Sequence, residues 1–252
     1  MILARLQLGP REEIVDLGCG TGEHTVELAR RTVNGHVVGI DSSPAMLERA
    51  IKLRNTLDPE LRQRVEFRLA DFRTLNADRE YTIVFSNAAL QWVSDHRAAF
   101  AAIFRALREG GRMAVQMPAN ENETAQLTMR RMAAEPPWSA TLGAVRTPSD
   151  ENVLPAAEYA CLLHDIGFEQ VSCFYHIFRH PMANPAEVVE FCRSTSLRRF
   201  LDRLPAAQHS EFISELTRRL EGAYGTTGPF TFTFRRLFLW GRRPVTTRGL
   251  ES

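Results

Sequence analysis

Residues 15–22 read V-D-L-G-C-G-T-G, and this run limits what the chain can become. An apolar pair, Ile14 and Val15, leads into an acid, Asp16. Glycines follow at alternate positions, Gly18, Gly20 and Gly22, and a helical pattern begins at once over Glu23–Arg31. The order predicts a strand, a tight glycine turn and a helix, which is how a nucleotide-binding type of α/β domain opens. Glycine serves such a turn in two ways: it takes positive φ, and it lets a ligand approach bare backbone. A dinucleotide site needs G-x-G-x-x-G, with the pyrophosphate over the helix N-terminus. Here the spacing is G-x-G-x-G, and an acid stands two residues before the first glycine. That acid repels phosphate and suits a cationic or amine-bearing ligand.

Apolar runs alternate with amphipathic helical patterns along the rest of the chain. Strands are predicted at Glu13–Leu17, His36–Asp41, residues 65–70, 82–87, 112–117, 170–178 and 230–240. Helices are predicted at Glu23–Arg31, 44–54, 95–107, Ala156–Ile166, 185–192 and 205–224. Ser43-Pro44 supplies an N-cap and an N1 proline, Glu109-Gly110-Gly111 a helix stop, and Gly167 the end of its helix. Repeated β-α-β order implies a parallel sheet covered on both faces. The expected fold class is α/β, Rossmann-like and doubly wound. Its seven-stranded sheet is mostly parallel, with a late antiparallel strand and a helical cap insertion. Ligands of such sheets sit at the carboxyl ends of the strands. The expected domains are a core at 1–117, a cap or lid at 118–155, the rest of the core with further cap helices at 156–243, and a disordered tail at 244–252.

The chain has 252 residues, 44% of them hydrophobic, so it can bury a sizeable core. Its net charge of +1 gives no bulk attraction to nucleic acid or to a membrane surface. No apolar run is long enough to span a bilayer, and no secretory leader is expected. Cys19, Cys161, Cys173 and Cys192 lack C-x-x-C spacing, which suggests a reducing, cytoplasmic setting rather than a disulfide or zinc framework.

The glycine run resembles motif I of the class I S-adenosylmethionine (SAM) methyltransferases. The resemblance implies SAM as cofactor, with Asp16 near its methionine amino end and Gly18, Cys19, Gly20 and Gly22 beneath it. Asp41 follows the turn by about 20 residues, where a carboxylate can accept two hydrogen bonds from a ribose diol. A helix-capping aspartate is the other reading, although Ser43 could cap instead. Ser42 and Met46 fall beside Asp41, and Met46 matches an apolar residue set against the adenine. Ala70-Asp71-Phe72 matches the family's short A-D motif, with the acid toward the adenine amine and the ring on the base. Asn87 stands at the tip of the fourth strand, beneath the sulfonium region, and Ala88 and Trp92 are further cofactor-side candidates. No N-P-P-[YFW] or D-P-P-Y motif follows, which counts against exocyclic amines as acceptors.

Residues 87–96 (N-A-A-L-Q-W-V-S-D-H), 114–120 (A-V-Q-M-P-A-N), Pro137-Trp138 and His180-Pro181-Met182 narrow the resemblance to the trans-aconitate 2-methyltransferase branch. That likeness implies esterification of a small carboxylic acid, with Gln91, Trp92 and Trp138 holding the acceptor carboxylate. Core packing is the alternative for Trp92, and a solvated helix start for Gln91. A polycarboxylate acceptor also needs cations, and Arg146, Arg179, Arg235 and Arg236 are candidates. His96 and His180 are possible contacts, with capping or packing as the plainer reading. No metal site and no general base are assigned, because a carboxylic acid with a pKa near ~4 is already an anion at neutral pH.

Members of that branch carry a segment of a few tens of residues ahead of motif I, whereas this sequence reaches Asp16 almost at once. The lid is therefore expected to be missing, cut away or replaced by another element. Two alternatives remain open. One is a SAM enzyme acting on a hydroxyl or carbon of a quinone or polyketide. The other is a SAM-binding module without turnover. An NAD-linked oxidoreductase fits least, given the glycine spacing and Asp16. The expected partner is a small acid, and the expected assembly is a monomer or homodimer.

Overall fold

The computed structural model describes residues 2–71, 75–143, 145, 152–193, 196–226 and 229–246. Phe72, Arg146 and tail residues 247–252 lie outside the described residues. In chain order the elements are α1 (Ile2–Arg5), β1 (Glu13–Leu17), α2 (Glu23–Arg31), β2 (His36–Asp41), α3 (Pro44–Asn55), α4 (Pro59–Gln63), β3 (Val65–Leu69) and β4 (Tyr81–Asn87). There follow α5 (His96–Ala106), β5 (Leu107–Pro118), α6 (Thr124–Ala133), α7 (Ala156–Ile166), β6 (Glu169–Met182), α8 (Pro185–Arg193), α9 (Arg198–Leu201), α10 (His209–Tyr224) and β7 (Phe230–Arg242).

The strands form one seven-stranded sheet in the order β3-β2-β1-β4-β5-β7-β6. β1 pairs in parallel with β2 and β4, β2 with β3, and β4 with β5. The chain runs outward from β1 to β3 and then crosses back to β4, so the switch point lies at the tips of β1 and β4. Ile14, Val15, Val37, Val38, Ile83, Val84 and Phe85 are all buried, as continuous apolar strands covered on both faces must be. The α3 N-cap matches expectation, with Ser43 accepting from the Met46 amide and Pro44 opening the helix.

Glu109-Gly110-Gly111 does not end α5, which stops at Ala106; the three residues lie inside β5. The Gly110 amide donates to the Arg243 carbonyl at 2.9 Å and the Arg243 amide donates to Gly111 at 2.8 Å. That exchange is antiparallel, and two residues of β5 oppose Arg243, the residue that follows β7. Gly110, at φ 72°, takes the left-handed position of a glycine bulge. A glycine pair reads the same in sequence whether it stops a helix or bulges a strand.

The chain divides into two compact units: Met1–Pro118 with Asn152–Tyr175 and Leu237–Ser252, and Ala119–Glu151 with His176–Arg236. Residues 176–236 thus cluster with the segment expected to form a cap. The second unit has its own core. Ala125, Met129, Met132 and Ala133 of α6 share it with Phe212, Leu216 and Leu220 of α10. Each helix shows an apolar stripe in sequence, but nothing local says that the two stripes meet. Among the described residues no helix is long and apolar enough to cross a membrane.

Candidate functional site

The glycine turn is built by backbone that only glycine adopts readily. Gly18, Gly20 and Gly22 have φ of 71°, 56° and 87°. The amides of Gly18 and Cys19 both donate to the Ile40 carbonyl, at 2.8 and 3.0 Å, folding the turn over the β2 tip. Two close approaches involve Phe67 of β3. A Cβ on Gly22 would lie 2.5 Å from Phe67 Cζ, and one on Gly39 would lie 2.7 Å from the same ring. By contrast, a Cβ on Gly20 would meet nothing within 4 Å. Gly20 therefore borders open space, as a turn beneath a bound cofactor requires.

Asp41, half-buried, ties this turn to the next helix. Its Oδ2 accepts from the Gly20 amide at 2.9 Å and its Oδ1 from the Ser43 amide at 2.8 Å. Each carboxylate oxygen keeps a further lone pair for an outside donor such as a ribose hydroxyl. Met46 and Leu69 are both exposed on the flanks, and the Ala70 amide donates to the Asp41 carbonyl at 3.1 Å. Asp71 is half-buried at the β3 tip. This arrangement fits a nucleoside: a diol partner, apolar side chains for a base and an acid for an exocyclic amine.

Asp16 is more enclosed than its sequence role suggests. It is buried, and Thr25 Oγ1 donates to its Oδ2 at 2.7 Å. Burial pushes its pKa up to about 7, the Thr25 hydrogen bond opposes the rise, and the Asp41 charge adds to it. Burial also raises the Cys19 thiol well above its usual range, so Cys19 is no thiolate nucleophile.

The tips of β4 and β5 present amides. Asn87 is half-buried. Ala88 takes φ 56°, and its amide donates to the Gln116 carbonyl at 2.8 Å. Gln91 is buried and donates from Nε2 to the Ala88 carbonyl at 2.8 Å. Gln91 Oε1 and Gln116 Nε2 are buried without a hydrogen-bond partner among the described residues. Trp92 is 65% exposed, so the core reading of its ring is overturned. Gln91 sits in a 3-10 turn, Leu90–Trp92, rather than at a solvated helix start.

That turn is pinned from outside. Asn152 Nδ2 donates to the Gln91 carbonyl at 3.0 Å, and His96 Nε2 donates to the Leu90 carbonyl at 3.0 Å. A carbonyl only accepts, so Nε2 carries the proton and Nδ1 accepts from the Tyr159 hydroxyl. His96 is thus a packing residue, and burial lowers its pKa.

In the second unit, Trp138 is buried edge-on to Phe212, at 5.2 Å between ring centres. It is core, with almost no surface left for an acceptor. Arg235 is engaged internally: its Nε donates to the Ala119 carbonyl at 2.8 Å and its Nη2 pairs with Glu121 at 3.2 Å. His180 packs against Phe191 at 5.2 Å, and Arg179 is exposed. Sequence reasoning missed Thr25, Gly39, Gln116, Asn152 and Tyr159. Of these only Gly39, a glycine inside a strand, carried a signal of close backbone approach.

The family profile described as "Methyltransferase domain" matches residues 8–178. A protein of Variovorax paradoxus (strain S110) named trans-aconitate 2-methyltransferase is 39% identical over 244 residues, covering 94% of this chain and 89% of that one. Among solved structures, the YcgJ protein of Bacillus subtilis superposes with a TM-score of 0.63 at 16% identity, covering 97% of both chains. The [4+2]-cyclase SpnF superposes with a TM-score of 0.60 at 19% identity, covering 97% of this chain and 79% of that one. A cyclase on the same fold means that shape alone does not assign methyl transfer. The profile and the near full-length sequence likeness do, and by them this chain belongs to the SAM-dependent methyltransferases, in the family of the trans-aconitate 2-methyltransferases.

Proposed function

We propose that this enzyme esterifies a carboxylate of trans-aconitate or a close small acid. The observation that carries the reading is 39% identity over 94% of the chain to a protein of that name. The chemistry at the strand tips agrees. Asn87, Gln91 and Gln116 are neutral amides, able to orient an anion but not to take its proton. A carboxylate needs no base, since its pKa near ~4 leaves it ionised at neutral pH. It needs desolvation and alignment, which positioning supplies.

When bound, SAM supplies an electrophilic methyl group on its sulfonium. Asp41 would hold the ribose diol, Gly18, Cys19, Gly20 and Gly22 would lie beneath the cofactor, and Ser42, Met46, Ala70, Asp71 and Phe72 would flank the adenine. Asp16 would serve the amino-acid end, and Asn87 and Ala88 would lie beneath the sulfonium. Gln91 and the exposed Trp92 are the acceptor-side candidates on the β4 tip. A cytoplasmic location belongs to the same proposal.

The test is incubation with methyl-labelled SAM and a panel of acids. A product that loses its label in mild alkali supports the reading. An alkali-stable product points instead to a hydroxyl or carbon acceptor. Cofactor binding with no product on any acceptor would leave a binding module.

A further inference from the structure

The tips of β1, β2, β4 and β5 share one polar face. Register partners in parallel strands point to the same face, as do residues two apart on one strand. Asp16 pairs with Gly39 and with Phe85. Asp41 stands two beyond Gly39, and Asn87, two beyond Phe85, pairs with Gln116 of β5. Asp16, Asp41, Asn87 and Gln116 therefore project from one face, and Gln116 stands one strand spacing, about 5 Å, from Asn87. All four belong to the first unit.

The Gln116 side chain bonds to nothing inside the protein. It is 6% exposed, its Nε2 is buried, and its amide makes no hydrogen bond among the described residues. Its carbonyl holds the Ala88 amide at 2.8 Å, which fixes the residue beside the β4 tip. An unpaired buried amide is destabilising, and an apolar side chain of that size would fill the place with less loss. Gln91 is differently placed. Its Nε2 donates to the Ala88 carbonyl, and a carbonyl only accepts, so its unpaired end is Oε1. An oxygen there repels a carboxylate. Nothing fixes the Gln116 amide in that way, and a half-turn about its last bond aims its NH2 to either side. A neutral donor also holds a carboxylate without cancelling the charge that makes it a nucleophile.

The geometry points to Gln116, ahead of Gln91, as the residue that donates to the carboxylate being esterified. The proposal rests on the acid-esterifying reading above.

The experiment compares wild type with Gln116→Met, which nearly keeps the volume and removes the amide. A packing role alone predicts a variant as active as wild type. A binding role predicts a Tm unchanged or raised, with kcat/KM for trans-aconitate lowered roughly 10-fold or more and the KM for SAM unchanged. Calorimetric titration of trans-aconitate into the S-adenosylhomocysteine complex should read the same loss without turnover. Undiminished acceptor affinity, or equal losses for acceptor and SAM, overturns the assignment. Crystals of wild type with S-adenosylhomocysteine and trans-aconitate need no variant. The Gln116 amide nitrogen is expected within ~3.2 Å of a carboxylate oxygen, and a separation beyond ~3.5 Å overturns the proposal. Wild type that makes no methyl ester removes the functional reading itself, whereas ester formation undiminished in Gln116→Met removes this proposal alone.

Discussion

The carboxylate of Asp41 accepts a hydrogen bond from the Gly20 amide at 2.9 Å, joining the β2 tip to the middle of the glycine turn. One residue thus shapes the turn and keeps lone pairs for a ligand. Asp41→Ala removes both backbone bonds, each worth about 1.5–3 kcal/mol to a charged acceptor. S-adenosylhomocysteine affinity should fall by roughly 100-fold or more. Asp41→Asn, which keeps one acceptor oxygen, should fall between. Titration calorimetry checks both, and undiminished affinity in Asp41→Ala would refute the role.

Gly22 and Gly39 share Phe67 as their nearest neighbour, with Ala50 Cβ also 3.1 Å from a Cβ on Gly22. Gly22→Ala and Gly39→Ala should each destabilise the fold by about 1–3 kcal/mol through overpacking on Phe67. Phe67→Leu in the same chain should restore part of the Gly39→Ala loss, the rest remaining with Cys19 Sγ, 2.9 Å from the added Cβ. It should restore less of the Gly22→Ala loss, because φ 87° costs an alanine a further ~1–2 kcal/mol. Urea unfolding of the four variants decides it; equal rescue of both would contradict the backbone argument.

Asp16 makes stability depend on pH in a stated direction. Its folded pKa, about 7, lies above the ordinary value of 3.8. Its contribution is therefore fully present below pH 3.8 and is lost as pH rises through 7. Asp16→Asn should gain on wild type across that window, by up to about 1.4 kcal/mol per pH unit. Binding of cationic SAM favours ionised Asp16, so wild type should release a proton on binding near pH 7. Calorimetry in buffers of different ionisation enthalpy measures that release, which Asp16→Asn should lack.

Tyr159→Phe leaves His96 Nδ1 and the Leu154 amide without the hydroxyl they share. It should cost about 1–2 kcal/mol and loosen the Leu90–Trp92 turn. The neutral His96 runs the opposite way from Asp16. Its pKa is lowered from 6.5 by burial, so its contribution is present above pH 6.5 and lost as pH falls through the folded value. Thermal unfolding from pH 5 to 8 should show wild type losing ground on its acid side. The difference between wild type and Tyr159→Phe should narrow there; a pH-independent difference would exclude the coupling.

Local pattern was enough to give the strand, glycine turn and helix, the parallel β-α-β order and the cofactor class. Those features follow from local rules: positive φ at alternate glycines, apolar runs for doubly covered strands, and Ser43-Pro44 at a helix start. β1, α2, β2 and α7 fall where the pattern puts them for that reason. Which residues those features meet was left to long-range packing. Arg235 is engaged by Glu121, 114 positions away, while its neighbour Arg236 meets a ring. Trp138 enters the core by way of Phe212, Asp16 is closed in by Thr25, and Gly110-Gly111 bulges against Arg243 instead of ending a helix. Each outcome depends on packing and pairing between distant segments, and no periodicity within a single segment encodes its partner.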